Sequence, residues 1–320
     1  MNILRFAVIA CLSLCSAVAV AQRYPEKPIR MIVPFPPGGG SDTAGRALAN
    51  RLSERLSQQV VVENRVGAAG SIGADYASRA PADGYTILLG STSELTQYPL
   101  VNPKIRYDPV RDFIPISMVG TIPLVLVVHP ALPANSVADL MRLARARPGE
   151  IDFGSAGVGA TTHLAVEHFM LLAKIKLRHV PYKGSPQATA DLVAGNIQMA
   201  IPTMPSAFPF IQSQRIKALA VTTEKRVPVL PEVPTMQEAG VGGYVNVLWA
   251  GVLAPKGTPD AIVKRLHAEI VSALETPEVR KVLNTTGVTP QSSTPEAFAA
   301  FIKSELDKWT QVVRQAGISL

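Results

Sequence analysis

Past residue 15 this 320-residue sequence contains no cysteine; the two present are Cys11 and Cys15. Both fall in an amino-terminal stretch expected to be removed, so the mature chain is expected to have neither disulfides nor thiolate metal sites. Aromatic residues are scarce, at 6% of the chain, and the basic residues are scattered instead of clustered. That is not the footprint of nucleic-acid recognition, and no nucleic-acid partner is expected. Long apolar runs are missing too: Phe6 to Val20 falls short of the roughly 20 residues that cross a bilayer. The mature chain is therefore not expected to be membrane-embedded.

What is present begins with an address. Arg5, the apolar run and Ala19-Val20-Ala21 ahead of Gln22 have the order of a secretory signal peptide covering residues 1–21. Export to the periplasm is the expectation. Val8-Ile9-Ala10-Cys11 loosely resembles a lipoprotein processing site, but too few apolar residues precede it for a lipid anchor to be preferred. Loss of Arg5 lowers the formal charge from +7 to +6. A basic balance of that size suits a protein that meets anions and equally suits a solvated surface. The length left exceeds what one core usually holds, which predicts two lobes.

Along the chain, strand and helix patterns alternate. Ile29–Val33 is a short apolar run ended by Pro34-Phe35-Pro36-Pro37-Gly38-Gly39-Gly40, after which Ala44, Leu48, Leu52 and Leu56 recur every four residues. Strands are predicted at 59–63 and 86–90 around a short helix at 71–80. The pattern restarts after Val119, with strands at 124–128, 151–153, 178–180, 197–201 and 217–221. Helices are predicted between them at 137–146, 161–174, 185–194 and 206–212. This order predicts an α/β fold with mostly parallel sheets and helices on both faces. The end of the chain reads as helical, each helix opened by Thr-Pro: Thr258-Pro259, Thr276-Pro277 and Thr294-Pro295. The threonine is expected to cap a free N–H, and the proline suits the first helical position. Ile262, Leu266, Ile270 and Leu274, and the stripe Phe298, Ile302, Leu306, Trp309 and Val313, read as core.

An open α/β sheet binds ligands beyond the carboxyl ends of its strands, where helix starts offer unpaired N–H groups and a positive dipole end. Two junctions have that design: Pro37 with Gly38, Gly39, Gly40, Ser41 and Asp42, and the 154–163 run containing Ser155, Ala156, Gly157, Thr161, Thr162 and His163. Each could serve only as a tight turn with a good cap; their corresponding positions in two halves favour an anion held from both sides. A third junction adds the Tyr182 ring and the Lys183 ammonium, and a fourth the hydroxyls of Ser91, Thr92 and Ser93. Asp42 would repel a carboxylate, so it is expected to cap its helix, pair with Arg46, or act through water.

Enzyme signatures fail on inspection. The chain has no phosphate loop and no G-x-S-x-G elbow, and Gly157-Val158-Gly159-Ala160-Thr161-Thr162 ends in Thr where a dinucleotide fingerprint needs Gly or Ala. His163 and His168 lie on different helix faces, so no metal pair is expected. Neither a catalytic residue nor a cofactor is expected, although His163 or Lys183 acting as a base defines the enzyme alternative.

With these residues in hand, the sequence resembles the Bug-type periplasmic solute-binding proteins of tripartite tricarboxylate transporters. The resemblance runs over essentially all of the mature chain. It is carried by Tyr24-Pro25-Glu26-Lys27-Pro28-Ile29-Arg30, Val33-Pro34-Phe35, Val62-Glu63-Asn64-Arg65, Pro81-Ala82-Asp83-Gly84-Tyr85-Thr86, His179-Val180-Pro181-Tyr182-Lys183-Gly184 and Pro231-Glu232-Val233-Pro234-Thr235. It implies a two-lobed Venus-flytrap fold of the type II-like class. One lobe would comprise 22–123 with 248–320 and the other 124–247, joined by crossings near 121–126 and 244–252. It further implies a monomer that binds a small carboxylate and delivers it to membrane transporter subunits, or displays its closed form to a receptor. Carried onto this sequence, the binding residues would be Phe35, Gly39, Ser41 and Asp42 in one lobe and Ser155, Gly157, Thr161, Thr162 and Tyr182 in the other. A departure lies at Ile201-Pro202-Thr203, where the family commonly has Asp: Pro202 supplies no carboxylate, which points to a less polar or aromatic far end on the ligand.

Overall fold

The computed structural model describes residues 24–316; the expected signal peptide lies outside the described residues. Ile29–Val33 (β1) is entirely buried apart from Arg30, and runs parallel to Val60–Asn64 (β2) and Thr86–Ser91 (β3). Helix Gly40–Leu56 (α1) links β1 to β2 and helix Ser71–Ser78 (α2) links β2 to β3. In α1 the four-residue repeat does what it predicts: Ala44, Leu48 and Leu52 are fully buried. Each leucine so placed contributes about 2 kcal/mol of transfer free energy.

Beyond β3 the chain makes the π-turn Ser93–Gln97 and then the long strand Phe113–Pro123 (β4). One residue later Val125–Val128 (β5) starts a second sheet. That sheet adds Asp152–Ser155 (β6), Arg178–Pro181 (β7), Met199–Ala200 (β8) and Lys217–Val221 (β9), in the order β7-β6-β8-β5-β9. Its helices are Val137–Ala146 (α3), Thr161–Ala173 (α4), Ser185–Ala194 (α5) and Met204–Gln212 (α6). The chain re-enters the first sheet as Val247–Pro255 (β10) and ends in Asp260–Glu275 (α7), Pro277–Thr285 (α8), Thr289–Pro290 (β11) and Pro295–Ala316 (α9). The first sheet has the order β11-β4-β10-β3-β1-β2.

Both sheets are mixed instead of mostly parallel. Strands joined by helical crossovers, β1 with β2 and β3, and β6 with β7 and β8, are parallel as expected. The strands that carry the chain between the sheets, β4, β5 and β10, pair antiparallel with their neighbours. Where the two connections pass, they are stitched together. Leu124 donates to Thr222 Oγ1 (3.2 Å), its carbonyl accepts from the Thr222 amide (3.1 Å), and the Thr222 carbonyl accepts from the Asn246 amide (2.9 Å).

Trp249 on β10 meets Phe298 and Phe301 of α9 edge-on, both at 5.5 Å between centroids. The predicted α9 stripe is buried at Phe298, Ile302, Trp309 and Val313. Val313 joins a cluster with Phe35, Tyr98, Ala156 and Ala160, so α9 reaches from the first sheet to the second. Of the three Thr-Pro starts only one caps as expected: Thr294 Oγ1 accepts from the Ala297 amide at 3.1 Å. The hydroxyls of Thr258 and Thr276 instead donate to the carbonyls of Pro255 and Ala273, three residues back. Among the described residues no helix is long and apolar enough to cross a membrane.

Candidate functional site

The start of α1 is built by the end of β2. Asn64 Nδ2 donates to the Phe35 carbonyl (2.8 Å) and to Asp42 Oδ1 (2.9 Å), fixing the loop that leaves β1. Asp42 also accepts from the Gly38 amide (3.0 Å) and pairs with Arg46 Nε (2.9 Å). Its buried carboxylate is therefore spent inside its own lobe, on the loop and on an ion pair, and caps no helix amide. The α1 N-cap, Gly39, has no side chain to accept a bond. Helix geometry gives the amides of Ser41 and Asp42 no carbonyl one turn back. The Gly40 amide, by contrast, donates to Thr203 Oγ1 on the second sheet's side at 3.2 Å.

The start of α4 repeats the arrangement. Its N-cap is Ala160, again without a side-chain bond, which leaves the amides of Thr161 and Thr162 at the helix start. Thr162 Oγ1 accepts from the Ala156 amide (2.7 Å) and so shapes the loop. Thr161 Oγ1 is buried and has no hydrogen-bond partner among the described residues. Behind the loop lie stacked rings: His163 and His179 at 4.1 Å, and His179 and Phe153 at 4.7 Å. His163 Nδ1 accepts from the Gly159 amide (3.2 Å), so its proton sits on Nε2, facing Glu167 Oε1 at 3.3 Å. Burial, with the neighbouring His163 adding to it, depresses His179 to about 4. Its Nε2 lies 2.6 Å from Ser155 Oγ.

These two helix starts face one cleft. Phe35, Pro36, Gly39, Gly40, Ser41 and Ser93 line it from the first sheet's side. Ala156, Ala160, Thr161, Thr162, Ser185, Pro186 and Thr203 line it from the second, with Leu248 of β10 between. No charged side chain is among them. The cavity is small, about 20 Å³. Pro186 approaches Gly38 and Gly39, and Ser206 Oγ lies 3.4 Å from the Gly38 carbonyl.

Several sequence-predicted residues sit elsewhere. Ser91 donates its hydroxyl to Glu94 Oε2 (2.7 Å), and Thr92 Oγ1 accepts from the Trp249 amide (2.8 Å); both are buried and neither lines the cleft. Glu94 is wholly buried, and that burial raises it to about 8 against the lowering effect of its bonds from Ser91. Ser155 and His163 support the α4 loop without lining the cleft. Gly157, Tyr182 and Lys183 border a second, outer pocket. The Tyr182 hydroxyl is committed to Asp191 Oδ2 at 2.7 Å, and burial first, then that bond, lifts it to about 12. Ala160, Ser185 and Pro186 fall inside the junctions at 154–163 and 181–186 that the sequence marks, whereas Pro36, Thr203 and Leu248 were not singled out as lining residues. The signal at 181–186 was Ser185-Pro186, a hydroxyl and a proline at a helix start.

Two mixed α/β units joined by two adjacent strands, with opposed helix starts aimed into a cleft free of charged side chains, define a solute-binding protein. Residues 44–318 match the tripartite tricarboxylate transporter family receptor model. BugT of Bordetella pertussis is 41% identical over 306 residues, covering 95% of this chain and 94% of its own. The structure of Rpa4515 of R. palustris with adipate superposes with a TM-score of 0.90 at 37% identity, over 92% of this chain and 99% of that one. MatC from Rhodopseudomonas palustris with bound malate gives 0.86 at 28% identity, over 91% and 100%. The chain belongs to the tripartite tricarboxylate transporter receptor family.

Proposed function

We propose that this chain is exported to the periplasm, captures a small carboxylate between its two halves and presents it to the membrane subunits of a tripartite transporter. The observation that carries the reading is the pair of uncapped helix starts at Gly39–Asp42 and Ala160–Thr162, facing each other across a buried cleft that contains no acid to repel an anion. The amides of Ser41, Asp42, Thr161 and Thr162 and the hydroxyls of Ser41 and Thr161 are the proposed carboxylate donors. Preorganised N–H dipoles of this kind bind anions without a fixed cation. Adipate and malate, bound by two relatives, are both dicarboxylates and support the class of ligand.

Closure is proposed to turn about the strands stitched at Leu124, Thr222 and Asn246, with residues 22–123 and 248–320 moving against 124–247. Thr203, the residue after Pro202, then takes the Gly40 amide and completes the closed seam. Catalysis is not proposed: His163 and Lys183, the candidate bases, lie outside the cleft, and no other side chain able to act as a general base lines it.

The test is calorimetry on protein freed of co-purified small molecules by denaturation and refolding, titrated with mono-, di- and tricarboxylates. Saturable 1:1 binding of at least one member is expected. Failure of every carboxylate to bind a correctly refolded chain overturns the reading.

A further inference from the structure

One acid stands close to the cleft without a cation. The π-turn Ser93–Gln97 brings Ser93 to the cleft wall, whereas the next residue, Glu94, is fully buried and does not line it. Glu94 Oε2 and the ring of Phe35 meet at Gly70: a Cβ built there would stand 3.0 Å from the oxygen and 3.1 Å from two ring carbons. Phe35 also lines the cleft. The carboxyl group is thus joined to the cleft wall at two points, through Phe35 in space and through Ser93 along the chain.

Its surroundings are neutral or acidic. Glu94 Oε1 accepts from the Ser91 amide and Oε2 from the Ser91 hydroxyl, and the Glu94 carbonyl accepts from the Tyr107 hydroxyl. Of the elements packed on the π-turn, β3 offers only Ser91 here, and Ala68–Gly70 carries no titratable group. Helix α2 brings Asp75, engaged by Arg79, and Tyr76, engaged by Arg30. The residues just after the turn bring Tyr98, which accepts from Asn102. Helix α9 turns Glu305 inward, where Lys308 (3.1 Å) and Trp309 (3.3 Å) hold it. Among the described residues no charged group offsets the burial of Glu94, which raises its carboxyl to about 8.

We infer that Glu94 is a proton site coupled to the cleft: a carboxylate seats there while Glu94 is neutral, and loss of that proton weakens its hold. The inference rests on the capture reading above. Two negative charges in one water-poor region repel, and neither the cleft lining nor the surroundings of Glu94 supply a cation between them. In the empty protein, ionised Glu94 keeps both bonds from Ser91 and releases its proton at mildly alkaline pH. A bound carboxylate makes that release costlier. Above about 8, binding therefore draws a proton from solvent onto a Glu94 oxygen, with no bond of the ligand changed.

Calorimetry from about pH 7 to 9.5, in paired buffers of different ionisation enthalpy, tests it with the tightest binder of the carboxylate panel on wild type, Glu94→Gln and Ser91→Ala. Carboxylates in water stay ionised over this range and His179, depressed to about 4, stays neutral. Wild-type affinity is expected to fall about five- to tenfold by the upper end, as two unit charges on the order of 10 Å apart at an effective dielectric of about 20 require. Near pH 8.5, about half a proton should be taken up per ligand bound. Glu94→Gln should match wild type at neutral pH and show neither the fall nor the uptake. Ser91→Ala, lacking a hydroxyl that lowers Glu94, should move both to higher pH. Circular dichroism at each pH separates these changes from unfolding. A level wild-type affinity without proton uptake, or a fall that Glu94→Gln retains, overturns the proton site while leaving capture intact. Should Glu94→Gln fail to fold, an unshifted Ser91→Ala profile does the same. No binding by any panel member at neutral pH overturns capture and the coupling with it.

Discussion

Thr161 holds a buried hydroxyl with no partner among the described residues, which costs the empty protein stability that a ligand oxygen would restore. Thr161→Val keeps the shape and removes the polar atom. The variant freed of ligand should be more stable than wild type by about 1 kcal/mol in urea melts, and should bind carboxylate about fivefold or more weakly by calorimetry. Glu94 and His179 make a second residue-level prediction. Glu94 keeps its proton in the fold up to about 8 against an ordinary 4.5, so between those values the folded chain holds a proton the unfolded chain loses, and stability falls as pH rises. His179 runs the other way: its folded value of about 4 against 6.5 means stability falls as pH drops below 6.5. The two slopes offset each other between about 4.5 and 6.5, leaving an alkaline decline due to Glu94 alone. Glu94→Gln preserves the acceptor for the Ser91 amide and a donor toward its hydroxyl. Urea midpoints at pH 6.5 and 8 should show the decline in wild type, at most about 1.4 kcal/mol per pH unit, and none in the variant.

At the scale of the element, the caps divide by what their hydroxyls do. Thr294→Ala removes the one Thr-Pro cap that accepts from its helix and should cost about 1 kcal/mol by denaturant midpoint; Thr276→Ala should cost less, since its hydroxyl bonds backward to Ala273. Elements with a clear period were legible in the sequence: α1 from its four-residue spacing, and α3, α5 and β9 to the residue. Strand β4 was not, because Pro115, Gly120 and Pro123 break its pattern. Its pairing explains the tolerance: β11 covers only Thr121 and Gly120, so along Pro115 one edge has no strand neighbour to need an N–H. The glycine-and-hydroxyl turns at 37–42 and 154–163 were readable for the same local reason. Thr203 was not, since it reaches Gly40 across 163 residues of sequence, and no local pattern encodes such a meeting.

For the whole molecule, the seam between the halves leaves no space at Gly184. A Cβ there would stand 2.2 Å from Pro36 Cγ, across the gap, although the extended backbone at this residue would accept any side chain. Gly184→Ala should therefore obstruct closing without straining its own half. An overpacking cost of about 1–3 kcal/mol on the closed form corresponds to about a 5- to 150-fold loss of affinity, measurable by calorimetry, with an unfolding midpoint close to wild type. Small-angle scattering with saturating carboxylate should show the variant remaining more extended than wild type.

Val158 stands exposed on the rim of the outer pocket, in a chain with no thiol past residue 15. A Val158→Cys substitution would thus give the described residues a single thiol beside the space between the halves, where an environment-sensitive dye would turn the proposed closure into an optical signal.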